Sequence, residues 1–224
     1  MAVGIDSVVL LIHLLFFVFW LGTDLGVFYS SGFVMKTDIG AEARGYCLKI
    51  MSFLDQVPRV SSIGVAAAGF TVGILRGYIA LDPIWILPIW IIAFVWAGVV
   101  LYLYVNEHHP EKIATVKRAD FYWRFFMVAL IFTLAITSWF GNGITDQKWL
   151  AAKLFVFGLI LSCGVMLRVQ MRTFGQFFGP MMKGTATPEQ IATAQAMMWG
   201  AKRYVLGIYV LLIVAAALGL WKPF

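Results

Sequence analysis

Residues 84 to 105 read IWILPIWIIAFVWAGVVLYLYV, a run without Asp, Glu, Lys, Arg or His. A helix rises 1.5 Å per residue, so such a run is about 33 Å long, enough to cross the roughly 30 Å hydrocarbon core of a bilayer. A helix at a soluble protein's surface would carry a polar face, and this run has none.

Five further runs follow the same rule: Ser7 to Met35, Val57 to Leu81, Tyr122 to Ile144, Lys148 to Met171 and Arg203 to Leu220. Of the 224 residues, 62% are hydrophobic and 12% charged, against about 25% charged in soluble domains. The expectation is an all-α polytopic membrane protein, a bundle of six transmembrane helices forming one domain over residues 1–224, in a cell membrane such as the bacterial inner membrane. The first run carries His13 and Asp24 and lacks a basic leader, so it reads as a span and not a cleavable signal.

Basic residues set the orientation, because loops rich in Lys and Arg stay in the cytoplasm. In the six-span arrangement only Arg76, Lys148, Lys153 and Lys222 lie on one side, and the other thirteen of the 17 basic residues lie opposite. Both termini are therefore expected outside. The net charge of +6 then reflects topology and anionic lipid, with the bilayer as partner and no role for nucleic acid. Cys47 and Cys163 have no CxxC companion and read as free thiols.

Two inner loops should carry surface helices. Tyr46, Ile50, Met51 and Leu54 recur at helical spacing beside Arg44 and Lys49, and Thr187-Pro188-Glu189 marks a helix start leading into the last span. A faint repeat is also present: Arg59 precedes Trp85 by 26 residues, and Arg124 precedes Trp149 by 25.

Ionisable groups within the spans are the candidates for chemistry, since a central charge costs at least about 2.5 kcal/mol. His13, Phe17, Trp20 and Asp24 fall on one stripe of the first helix, with Gly22 and Gly26 beside them as a small-residue pair. His13 lies about 8 Å from the outer end of its helix, and Lys153 enters from the same side to a similar depth. The two could line one pocket, with His13 as a metal ligand. Asp24, about 16 Å further in, is expected to form a structural ion pair with Arg59 or Arg124. His108 and His109 lie at the opposite surface and cannot share a metal with His13. HExxH, P-loop and GxSxG patterns are absent from the sequence, leaving hydrolase and nucleotide-driven mechanisms without support.

Ile12-His13-Leu14-Leu15 followed by Trp20-Leu21-Gly22 resembles the first helix of the CopD-like and HemJ-like membrane proteins. Trp149-Leu150-Ala151-Ala152-Lys153-Leu154 is similar to the opening of their lysine-bearing helix. The resemblance implies a helical bundle with His13 and Lys153 as catalytic pair and with His13 and Trp20 beside a cofactor. One branch of that family handles haem or porphyrin, the other copper. Past Trp20 the chain reads Thr23-Asp24-Leu25-Gly26, where the oxidase branch continues with leucine, proline and arginine. Three roles stay open: a redox-associated protein with one b-type haem, a transporter of copper or another small solute, and a non-catalytic subunit of a larger membrane complex or homo-oligomer.

Overall fold

The computed structural model describes residues 4–224, which form eight α-helices and no strand. These are α1 (Ile5–Val34), α2 (Ala41–Leu54), α3 (Gln56–Leu75), α4 (Ile86–Val105), α5 (Pro110–Trp139), α6 (Lys148–Gln170), α7 (Phe174–Met182) and α8 (Pro188–Trp221). Six stretches among them are long and apolar enough to cross a membrane, α2 and α3 counting as one.

Helix ends follow local chemistry. The side chain of Thr187 accepts from the Gln190 backbone N–H, and Gln190 returns a bond to the Thr187 backbone, so α8 starts on a capping box with Pro188 at its first position. This start satisfies free N–H groups at the beginning of α8, which runs unbroken for 34 residues. Asp82 accepts from the backbone N–H of Ile84 at 2.8 Å and starts the short turn before α4.

The sequence carries the second span to Leu81, but α3 stops at Leu75. Gly77 adopts φ +68°, and Tyr78 N–H reaches back to Gly73 O at 2.8 Å while Gly77 N–H reaches Ile74 O at 3.1 Å. This is a Schellman stop, which needs a residue free to enter the left-handed region. Gly141 stops α5 the same way, with φ +81° and Asn142 N–H bonded to Thr137 O at 2.9 Å. That helix begins at Pro110 instead of near Tyr122, because Pro110 and Glu111 form a favourable first turn and extend it beyond its apolar part.

The long helices close into a ring, each packing on its neighbours in the order α1, α3, α4, α5, α6, α8 and back to α1. Where α1 meets α3, Phe16 lies over Gly64 and His13 over Gly69, with no room for a Cβ at either glycine. The pair expected to permit close approach behaves otherwise: Gly26 abuts Leu54 of α2, and Gly22 faces nothing within 4 Å. Large apolar side chains such as Val18, Phe94, Val95 and Val210 cover the outside of the ring, an exterior that water does not favour.

At one end Asp6 pairs with Arg76 at 2.9 Å, and Lys222 donates to Tyr78 Oη at 3.0 Å. Residues near both chain ends thus meet at the end of the bundle where α3 stops. The opposite end carries α2 and α7. Buried Arg44 of α2 donates to the carbonyls of Lys36 at 2.6 Å and Met181 at 3.2 Å, and Phe178, Met181 and Met198 pack with Val34 into an apolar cluster. The methionines there are packing residues, and both cysteines are free.

Candidate functional site: a charged chamber inside the helix ring

All six long helices contribute to one partly open chamber of about 140 Å³. Trp20 and Asp24 come from α1, Arg59 and Ser62 from α3, Trp96 from α4, Arg124 from α5, Arg168 from α6 and Ile208 from α8, with Asp55 at the α2–α3 junction. Trp20 is buried against Val65, Ile160 and Ile208 and meets Phe157 edge to face at 6.4 Å. It forms an apolar roof, four residues from Asp24 on the same face.

Arginine and aspartate make up the floor. Asp120 Oδ2 accepts from Arg124 Nε at 2.9 Å and Arg168 Nη1 at 3.3 Å, while its Oδ1 accepts from Trp96 Nε1 at 3.1 Å. The same indole lies under the Arg124 guanidinium, 5.4 Å from ring centre to Cζ. Asp120 therefore binds α4, α5 and α6 together, with its charge fully answered. Arg59 pairs with Asp55 one turn earlier.

These pairings correct the expected partner of Asp24. Arg59 and Arg124 each take the carboxylate four residues before them, and Asp24 joins none of the ion pairs among the described residues. An i, i+4 partner on the same helix is already in reach, so neither arginine needs a carboxylate from α1. Asp24 is nevertheless buried and lines the chamber. The hydroxyl of Tyr209 and Nη2 of Arg124 are also buried, without a hydrogen-bond partner among the described residues.

His13 and Lys153 lie outside this chamber. His13 Nδ1 is 2.8 Å from the carbonyl oxygen of Val65. A carbonyl only accepts, so Nδ1 carries a proton, and in the neutral ring Nε2 keeps its lone pair. Lys153 crosses α8 at Gly219, where an added Cβ would sit 2.7 Å from Nζ. The ammonium is within electrostatic reach of the His13 ring.

A haem can be tested against this geometry. The ring is held as a ligating histidine is held, its other nitrogen fixed by a carbonyl. Space is the difficulty: α3 closes on the ring at Gly69, and His13 lines neither this chamber nor the larger cavity at the α1–α8 edge. Orientation fits a macrocycle and room does not. Among the described residues no group of three or more His, Cys, Asp or Glu is placed to hold a metal ion.

Sequence reading grouped Asp24 with Arg59 and Arg124 and set Trp20 beside His13; in the structure Trp20 lines the chamber with Asp24, Arg59 and Arg124, and His13 does not. Asp55, Asp120, Trp96 and Arg168 were missed. The signal for two of them was present: Asp55-x-x-x-Arg59 and Asp120-x-x-x-Arg124 both carry the spacing of an ion pair on one helix. No family model matches this chain, and no curated protein or solved structure does.

Proposed function

We propose that the chain is a multi-pass protein of the cell membrane, with both ends outside, whose chamber takes up a small monovalent anion together with one proton. Support for the membrane setting comes from six helices of sufficient length and apolarity and from the apolar exterior. Support for the orientation comes from the basic residues, concentrated at the end that carries α2 and α7. An impermeant thiol reagent should label a cysteine introduced at Asp82 in intact cells and spare Cys47. The opposite pattern reverses the orientation.

One observation carries the function: Asp24 is buried, lines the chamber and joins no ion pair among the described residues, with Arg59 in electrostatic reach but held by Asp55. Arg59, Arg124 and Arg168 contribute three positive charges, which Asp55 and Asp120 answer with two negative ones. An ionised Asp24 brings the group to neutrality, whereas a protonated Asp24 leaves one uncompensated positive charge. A net charge in apolar surroundings is costly until a counter-ion arrives, so proton and anion favour each other's entry. The chamber, about 140 Å³, holds the equivalent of about five waters at about 30 Å³ each, room for an ion the size of formate or nitrate. Tyr209, on α8, supplies the remaining hydroxyl near the carboxyl.

Proteoliposomes containing a pH dye test the coupling. An inward formate or nitrate gradient should acidify the lumen with the native chain, and Asp24→Asn should abolish acidification while leaving the protein folded. Equal acidification by both proteins overturns the reading.

A second reading, redox chemistry at His13 and Lys153 with one b-type haem, is favoured by the bond between His13 Nδ1 and Val65, which leaves Nε2 free to ligate. It requires α1 and α3 to part around the ring. A Soret band in the purified protein that disappears in His13→Ala would establish it in place of the first.

A further inference from the structure

A second cavity, of about 400 Å³, opens at the α2 and α7 end between α1 and α8. Two ammonium groups belong to its lining, Lys36 just past α1 and Lys202 on α8, together with the single carboxylate of Asp38. Lys202 crosses α1 at Gly32, where an added Cβ would lie 3.6 Å from Nζ. Its ammonium sits 4.8 Å from the Phe28 ring centre and 5.6 Å from that of Trp199. Lys36 sits 4.9 Å from the Phe33 ring centre. Neither lysine, nor Asp38, makes an ion pair among the described residues.

Aromatic faces thus hold both ammoniums over the cavity with their charge unanswered, and the lining is net positive by one. Below them the surface changes character. Trp199, Leu206 and Val210 are exposed and share one face of α8, a stripe about 16 Å long running from the cavity toward the middle of the bundle. A positive head region over an exposed apolar stripe complements an amphiphilic anion, and a bare anion would leave the stripe unused.

We propose that this cavity binds an anionic phospholipid of the inner leaflet, its phosphate between Lys36 and Lys202, its glycerol region against Trp199 and one acyl chain along Leu206 and Val210. The proposal rests on the membrane orientation given above. A lysine near the surface contributes roughly a five-fold gain in affinity for anionic lipid, so the pair should contribute about 25-fold. Basic pockets between helices on the cytoplasmic side recognise such headgroups generally.

Native mass spectrometry of the detergent-solubilised full chain, titrated with phosphatidylglycerol, phosphatidylcholine or inorganic phosphate, separates the sources of the phosphate. Phosphatidylglycerol should be retained in preference to both. The double variant Lys36→Gln/Lys202→Gln should lose at least ten-fold of that retention, and Lys202→Arg should keep it. Lys49→Gln removes a basic group at the same end, over Tyr46 and outside the cavity, and should change nothing. Equal retention of phosphatidylcholine, stronger retention of inorganic phosphate, or an equal loss in Lys49→Gln would overturn the site. The need for detergent to keep the chain monodisperse is read in the same samples, so failure of the lipid site is distinguishable from failure of the membrane reading.

Discussion

Helices α3–α4 and α5–α6 are two hairpins written in one pattern, and their chamber-facing ends have been put to different use. Asp55, Arg59, Gly77 and Trp85 in the first correspond to Asp120, Arg124, Gly141 and Trp149 in the second, at offsets of 65, 65, 64 and 64 residues. Both begin with an i, i+4 Asp–Arg pair and both turn on a left-handed glycine. The corresponding loop residues Ala80 and Ile144 are joined directly, N–H to O at 2.7 Å. The difference lies in what surrounds the aspartate. Asp120 has a side chain 1% exposed and answers to Arg124, Arg168 and Trp96, whereas the Asp55 side chain is 28% exposed and answers to Arg59. The same local motif is thus a cross-helix fastener in one hairpin and a half-solvated charge reserve in the other.

The largest test of that contrast is Asp120→Asn. It leaves Arg124 and Arg168 without a carboxylate inside the ring, which should cost about 3–5 kcal/mol and show as a strongly lowered unfolding temperature in detergent. Gly77→Ala and Gly141→Ala sharpen the likeness of the hairpins. Each places a Cβ in the left-handed region and should cost about 1–2 kcal/mol, by the same amount within error in the same thermal assay. Unequal losses would mean that the two stops are not equivalent. The smallest effect belongs to Asp55→Asn, where a partly exposed pair contributes about 0–1 kcal/mol. If its loss in thermal stability equals that of Asp120→Asn, the asymmetry between the two hairpins does not exist.

Helix type and number were legible because long runs without charge admit few alternatives, and the surface helices α2 and α7–α8 because Arg44, Lys49 and Thr187 sit at telling positions. The ends of α3 and α5 were not, since apolar residues continue past Gly77, and polar residues precede Tyr122 in a helix that begins with Pro110. The repeat was visible in Arg59, Trp85, Arg124 and Trp149 but looked faint until the aspartates and glycines joined it. Asp24 was recognised as a buried carboxyl of consequence, but the direct ion pair expected for it is not formed among the described residues: depth alone cannot tell an arginine that is free from one already held by its own helix. Arg168 was hidden by its position at the end of an apolar run, where a basic residue ordinarily marks only the membrane edge. Its contact with Asp120, 48 residues away, depends on how α5 and α6 pack.

The placement of those pairs also bears on how the protein is made. A chain is synthesised and inserted from its N-terminal end, and a lone charge entering hydrocarbon is expensive. In the proposed membrane setting, Arg59 and Arg124 each emerge just after an aspartate one turn away, so each helix would enter with that charge already balanced. Arg168 emerges later, when Asp120 is already present to receive it. No arginine of the chamber has to wait for a helix not yet synthesised. The wiring of the chamber is therefore also an assembly order, and moving either aspartate to the far side of its arginine in the sequence would expose an unbalanced cation during insertion even where the finished bundle could accommodate it.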